Sequence, residues 1–219
     1  MSSAPAIRLA RKVPASVEVH GLPLTTEQVT TEDGSLPWKQ IAAQGFTGKL
    51  GESAMVTVDD SVRCLIGMGD GDDVDAGAWR RIGVVFARAA TRSKAASIAI
   101  TGVTDFETLA EGIALGCYVS TEFKSEPTKP TLKTVSLIGT TSKKAAASVA
   151  KGLAIAAAVN QTRDFVNEPG GSLTPERFAN EAKRIARQPG LSITVLGLTE
   201  IKKAKLGGLL GVNRGSDLP

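Results

Sequence analysis

Aromatic side chains are scarce, 4% of 219 residues, so Val, Ile, Leu and Ala must fill any core. Histidine occurs once, at His20. A zinc-type histidine site or a nucleophile–histidine relay would have to use that ring, which closes a short strand with no acidic or nucleophilic motif beside it. Cysteine occurs twice, at Cys64 and Cys117. Both lie in apolar runs that push a thiol pKa up, so they read as reduced core thiols and imply a cytoplasmic location. No apolar run approaches the roughly eighteen residues of a membrane span, and Met1–Pro14 lacks a signal-peptide core. Charge of one sign is also lacking. The net +4 comes from dispersed basic residues such as Arg80, Arg81, Lys202 and Lys203 without interleaved aromatics, which reads as a solvated surface and makes nucleic acid an unlikely partner.

The apolar fraction of 42% and the charged fraction of 22% are those of a soluble globular chain, long enough for one or two domains with a real core. The most informative stretch runs from Lys143 to Ala186. Ser142 can cap a long Ala-rich helix in which Val149, Leu153, Ala156, Val159 and Val166 recur at three and four. Asn167, Pro169, Gly170 and Gly171 break it, and Thr174, Pro175 and Glu176 start another helix, the first as cap, the second at the turn where its missing N–H is harmless. Upstream, Met1–Pro14 reads as frayed, Val17 and Val19 as a first strand closed by His20, Leu24–Ser35 as a surface loop with room for a helical turn, and Trp38–Gln44 as a short helix stopped by Gly45. Ser53–Val58 and Val62–Gly67 form a hairpin about Asp59-Asp60. Helices are predicted over Ala76–Lys94 and Phe106–Val119, with strands at Ser97–Val103 and Leu132–Gly139. Past the Pro-Gly-Gly turn the pattern restarts: a helix to Gln188, a strand Ser192–Leu196, a short helix capped by Thr199, and a candidate strand Gly207–Val212. Alternating strands and helices argue for an α/β fold, and the hairpin makes its sheet mixed.

Residue chemistry offers no convincing active site. Gly67, Gly69 and Gly71 miss the spacing of a phosphate-cradling loop, and Asp70, Asp72, Asp73 and Asp75 lack the glycine and distal glutamate of a calcium loop, so a solvated loop with a helix cap at Asp75 is expected. Asp105, Glu107, Glu111, Asp164, Glu168 and Glu176 fall at helix starts, exposed faces or turns, where helix electrostatics account for them.

The segment TRDFVNEPGGSLTPERFANEAKRIA, followed by SITVLGLTEIKKAKLGGLLGVNRGS, resembles the region that joins the N-terminal and catalytic domains of the leucyl aminopeptidase family. The match falls on Arg163, Asp164, Phe165, Val166, Asn167, Pro169, Leu173, Thr174 and Pro175, then on Gly207, Leu209, Leu210, Asn213, Gly215 and Ser216. Upstream, CLIGMGDGDDVDAGAWRRIG and EGIALGCYVSTEFKSE are similar to further segments of that family, so the likeness spans Val62 to Ser216. It implies an α/β architecture in three parts: a mixed-sheet, macro-domain-like N-terminal domain over 1–140, a long linking helix with its turn over 141–171, and over 172–219 the opening helix and strands of a second α/β domain, the truncated start of the catalytic one.

The resemblance further implies an exopeptidase that releases N-terminal amino acids from peptides with two divalent metal ions, Mn²⁺ or Zn²⁺, as a homo-hexamer in the cytoplasm. The motifs that carry metal ligands and catalytic side chains, resembling Gly-Lys-Gly-x-Thr-Phe-Asp-Ser-Gly-Gly and Asn-Thr-Asp-Ala-Glu-Gly-Arg, do not occur in these residues. No catalytic, cofactor-binding or metal-ligating role is therefore assigned to any position, and the chain alone is expected to bind no metal, to be inactive, and to serve structure and assembly beside the catalytic domain of the same protein. Two other readings are a stand-alone macro-like module that binds an ADP-ribose-type ligand or nucleic acid, and a degenerate paralogue that scaffolds an assembly.

Overall fold

A computed structural model describes residues 4–32, 34–71, 74–127, 130–187 and 190–216. Six strands form one sheet in the order β1-β6-β5-β2-β4-β3: β1 Ala6–Ala10, β2 Val19–Thr25, β3 Ser53–Val58, β4 Ser61–Gly69, β5 Ser97–Ile100 and β6 Thr134–Ile138. All neighbours pair in parallel except β3, which runs antiparallel to β4 at one edge. The β3–β4 hairpin turns on Asp59 and Asp60, both with positive φ (48° and 59°). Two successive left-handed residues match the twist of the flanking strands, and aspartate tolerates that region.

Parallel strands need crossovers, and here helices supply them. They are α3 Ala76–Arg92 between β4 and β5 and α4 Phe106–Gly116 between β5 and β6; α5 Lys143–Asn167 follows the last strand. The three are capped by Asp75, Asp105 and Ser142, whose side chains accept from the N–H of Ala78, Thr108 and Ala145. The main core joins Val19, Cys64, Ile66, Ile98, Ile100, Val135 and Leu137 of the sheet to Trp79, Ile82, Phe86, Leu109, Ile113 and Val149 of the helices. Residues of opposite parity on the strands face the other way. There Leu22, Leu24, Val56 and Leu65 meet Ile41, Phe46 and Trp38, brought by two short helices, α1 Thr26–Thr31 and α2 Trp38–Ala43.

The three large helices approach through glycine. A Cβ on Gly112 of α4 would lie 2.1 Å from the Arg80 carbonyl oxygen of α3, one on Gly83 2.6 Å from the Leu109 oxygen, and one on Gly152 of α5 2.1 Å from the Glu107 oxygen. Backbone meets backbone with no side chain between. Ion pairs flank these crossings: Arg80 Nε donates to buried Glu111 at 2.8 Å, and Lys151 pairs with Glu107 at 2.8 Å.

The chain divides into two compact units, Met1–Asn167 and Glu168–Pro219. In the second, α6 Pro175–Ile185 begins at Thr174, whose hydroxyl accepts from the Arg177 N–H at 3.3 Å. The turn before it is closed by Glu168, which accepts from Ser172 Oγ at 2.7 Å and pairs with Arg177 at 3.0 Å. Short helices α7 Leu198–Lys203 and α8 Gly207–Val212 follow, then one 3₁₀ turn at Asn213–Gly215. No described residue from 168 to 216 is buried.

Several expectations need correction. Residues 6–10 are not frayed but form β1, because pairing with β6 satisfies their backbone. His20 does not close a strand but lies inside β2, which starts at Val19 and reaches Thr25; the helical turn allowed in the loop after it is α1, behind a capping box of Thr25 and Gln28. Ser97–Val103 and Leu132–Gly139 are strands only over 97–100 and 134–138, where partners exist, and α4 stops at Gly116 rather than Val119. Residues 192–196 join no ladder, and an extended segment without a partner is not a strand. Residues 207–212 are helical rather than extended, since a helix needs no second segment, and α7 is capped by Gly197 rather than Thr199. α6 ends at Ile185 with Ala186 as its C-cap, short of the end expected at Gln188; Gln188 itself lies outside the described residues, as do Asp72 and Asp73. On α5 the buried stripe is Ala145, Val149, Gly152 and Ala156, while Val159 and Val166 are 40% and 80% exposed. The close approach at Gly152 selects the small residues for the inward face.

Gly112→Ala is expected to destabilise the fold by roughly 1–3 kcal/mol, overpacking outweighing the about 1 kcal/mol that alanine gains in helix propensity. Gly170→Ala, with nothing within 4 Å of the added carbon, is the control. Urea denaturation of both variants measures the difference, and equal midpoints would contradict it.

Candidate functional site

Most groups singled out in the sequence prove structural. Gly67 and Gly69 belong to β4, where the Gly67 N–H donates to the Glu52 oxygen at 3.0 Å and the Gly69 N–H to the Gly48 oxygen at 2.9 Å. A Cβ on Gly67 would sit 2.0 Å from the Lys49 oxygen. These glycines admit a neighbouring loop, not a phosphate. Asp70 accepts from Thr26 Oγ1 at 2.5 Å and Asp75 caps α3, so neither is set aside for a cation. Among the described residues no three His, Cys, Asp or Glu side chains converge as metal ligands. The described residues therefore do not fit a two-metal centre.

Burial pushes the Cys64 thiol up to about 12 and Cys117 up to about 11. At neutral pH both stay protonated and weakly nucleophilic.

The residues that carry the family likeness meet one another. Tyr118, just past α4, donates its hydroxyl to Asp164 Oδ1 at 2.8 Å and accepts from Asn167 Nδ2 at 3.1 Å. The Arg163 guanidinium lies 3.9 Å over the Tyr118 ring and donates to the Leu115 carbonyl at 3.2 Å. Arg163, Asp164 and Asn167 thus fasten the last turns of α5 to the end of α4. Stacking and charge-assisted bonds make this a clamp without a free nucleophile or base.

A second constellation lies on the face of the sheet away from the three large helices. Arg8, Ser136, Ala99, His20, Arg63 and Val56 stand in register on successive strands, so their side chains share that face. His20 Nε2 is 3.1 Å from Thr101 Oγ1. Burial, then the charge of Arg63, hold its pKa below the ordinary value. Beside this row opens a cavity of about 540 Å³ whose lining includes Leu22, Leu24, Leu36, Trp38, Arg63 and Thr101. Arg63 Nε and Trp38 Nε1 are covered by protein and have no hydrogen-bond partner among the described residues, and leaving such a donor unpaired costs about 1–3 kcal/mol. Sequence reasoning passed over this cavity. Its signal was Arg63, the one charge in the otherwise apolar run of β4.

His20 generates a pH prediction. The folded ring binds a proton less readily than the unfolded one, so the unfolded state takes up more protons as pH falls. Stability is full above the ordinary value of 6.5 and declines as pH drops from there towards the lowered folded value. Thr101 bonds the ring and Arg63 acts on its charge; Glu18 and Asp60 line a further cavity together with it, and among the described residues no carboxylate is hydrogen-bonded to the ring. Thermal melts at about pH 7.5 and about pH 5.5 should show a fall in Tm that His20→Gln reduces; an equal fall in both proteins would remove His20 as its cause.

Comparison with known proteins adds an independent line. Residues 26–127 match the cytosol aminopeptidase family, N-terminal domain, and residues 160–219 match the cytosol aminopeptidase family, catalytic domain. A "Probable cytosol aminopeptidase" of Rhodococcus opacus is 34% identical over 188 residues, covering 80% of this chain and 37% of the relative. One from Synechococcus elongatus is 31% identical over 186 residues, covering 82% of this chain and 38% of the relative. The chain thus spans under two fifths of the length of these relatives. Among solved structures, a tomato leucine aminopeptidase mutant superposes with a TM-score of 0.78 at 23% identity, over 94% of this chain and 47% of that one, a likeness of fold. The bottromycin maturation enzyme BotP, solved in complex with Mn, matches with a TM-score of 0.72 at 26% identity, over 93% of this chain and 44% of that one.

Proposed function

Because the chain belongs to the cytosol aminopeptidase family, we propose that it provides the N-terminal unit and the start of the catalytic domain of a metallo-aminopeptidase that releases N-terminal residues from peptides. The observation that carries this reading is the order of the two family matches on one chain, N-terminal domain before catalytic domain. The Tyr118–Arg163–Asp164–Asn167 clamp supports it, since the residues of the family likeness bond to one another across α4 and α5.

In the complete protein two divalent metal ions, Mn²⁺ or Zn²⁺, would polarise the scissile carbonyl and activate water. The manganese complex of BotP favours Mn²⁺. No step of that chemistry runs through the described side chains of this chain, whose part is to hold a rigid α/β body and its last long helix. The proposal includes work in the cytosol, in keeping with the names of the relatives, and assembly as a homo-hexamer, which rests on the family resemblance alone.

Leucinamide hydrolysis with added Mn²⁺ tests the reading. The purified 219-residue chain is expected to release no leucine, while a chain extended to the length of the relatives does so and loses the activity to a chelator. Release by the 219-residue chain alone, or none by the extended chain under either metal, would overturn it.

A further inference from the structure

The sheet ends at β3, and the outer edge of that strand lacks the usual protection. Edge strands are commonly blunted by a charge, a proline or a bulge. The opposite edge follows that habit, since β1 carries the exposed Arg8. β3 reads SAMVTV, with no charge and no proline, and its register with β4 runs unbroken from Ser53 to Val58. Val56, Thr57 and Val58 are β-branched and favour the extended chain. A strand of this kind is a template for another.

The hairpin decides which groups face outward. In a two-residue turn the closing pair, here Val58 and Ser61, exchanges both ladder bonds. Val56 and Ala54 therefore bond β4 as well, while Ser53, Met55 and Thr57 turn their N–H and C=O away from it. At Met55 the outward pair is filled by a side chain. The Met55 N–H donates to Gln44 Oε1 at 3.2 Å, and Gln44 Nε2 donates to the Met55 carbonyl at 3.1 Å. A carboxamide offers a donor and an acceptor in one plane, as a peptide group does, so Gln44 stands where a residue of a seventh strand would pair. It is held there as the C-cap residue of α2, with Nε2 also 3.4 Å from the Gln40 carbonyl. Among the described residues, the outward groups of Ser53 and Thr57 form no bond.

We propose that Gln44 closes the β3 edge against strand addition, and that the strand it excludes is β3 of a second copy. An antiparallel copy suits this edge. With Met55 opposite Met55, Thr57 of each copy meets Ser53 of the other, so the three outward pairs on each strand all find partners, and no charge lies within the six residues to oppose the contact. Two sheets would then run on into one another across a two-fold axis. The carboxamide of Gln44 occupies the position of that axis, so one residue decides whether they can meet. The device lies wholly within the first unit, and the proposal stands whether or not the complete protein is a peptidase.

Sedimentation equilibrium and amide hydrogen exchange on the 219-residue chain test it. Gln44→Ala should raise self-association at least about tenfold over the unaltered chain, a ratio in which association through other surfaces cancels. Thr57→Pro removes an outward N–H where an edge strand tolerates proline, so Gln44→Ala/Thr57→Pro should return association to its starting level. In the unaltered chain the Met55 amide should exchange at least about tenfold more slowly than that of Thr57. In dilute Gln44→Ala the Met55 amide should exchange as fast as that of Thr57, and at high concentration both should slow together. Gln44→Met, which keeps the length of the side chain without its polar atoms, and Thr57→Lys stand in for a variant that does not fold, each with the same expected direction. Unchanged association in the folded Gln44 variant, association that the Thr57 change leaves in place, or a Met55 amide as fast as that of Thr57 in the unaltered chain would each overturn the proposal.

Discussion

Contact between helix backbones, permitted by glycine, sets the geometry of this molecule. Gly83, Gly112 and Gly152 each place a neighbouring carbonyl oxygen where a side chain would start, and α3, α4 and α5 settle against one another at that separation. The spacing fixes how the helices lie on the sheet, and hence which strand residues are covered. Val19, Cys64, Ile98, Val135 and their neighbours are sealed beneath them. It also fixes where Arg80 can reach Glu111 and where Arg163 can stack on Tyr118. A glycine in mid-helix costs about 1 kcal/mol of propensity, and here dispersion along the closely packed backbones offsets it.

This constraint explains what the sequence could and could not disclose. The hairpin about Asp59-Asp60, the helix caps at Asp75, Asp105, Ser142 and Thr174, and the break at Pro169 are local chemistry, and each stands where its residues put it. Partnership is not local. Ala6–Ala10 is a strand because β6 lies beside it, and residues 192–196 are not one because nothing does. The buried face of α5 followed the same rule: apolar periodicity favoured the larger Val159 and Val166, but the glycine crossing turned Ala145, Gly152 and Ala156 inward. Periodicity reads hydrophobicity and does not read distance.

The sites divide likewise. Sequence motifs pointed to Arg163, Asp164 and Asn167 through family likeness, and the structure supplies a physical reason for their company in Tyr118. The cavity at Arg63 has no motif, since its residues come from β2, α1, α2, β4 and the end of β5. A lone arginine in an apolar strand was the one visible sign. The two thiols, which read as core residues from their apolar neighbours, are protonated at neutral pH in the fold.

The two units differ in how order is maintained. In the first, a hydrogen bond opened in β5 disturbs strands on both sides and the helices above, so loss of structure is collective. In the second no described residue is buried, and bonds such as that of Arg177 to Glu168 reach only from a helix to the turn beside it. Its amides are thus free to exchange with solvent deuterium one helix at a time, giving a graded pattern of protection where the sheet unit would give a single step.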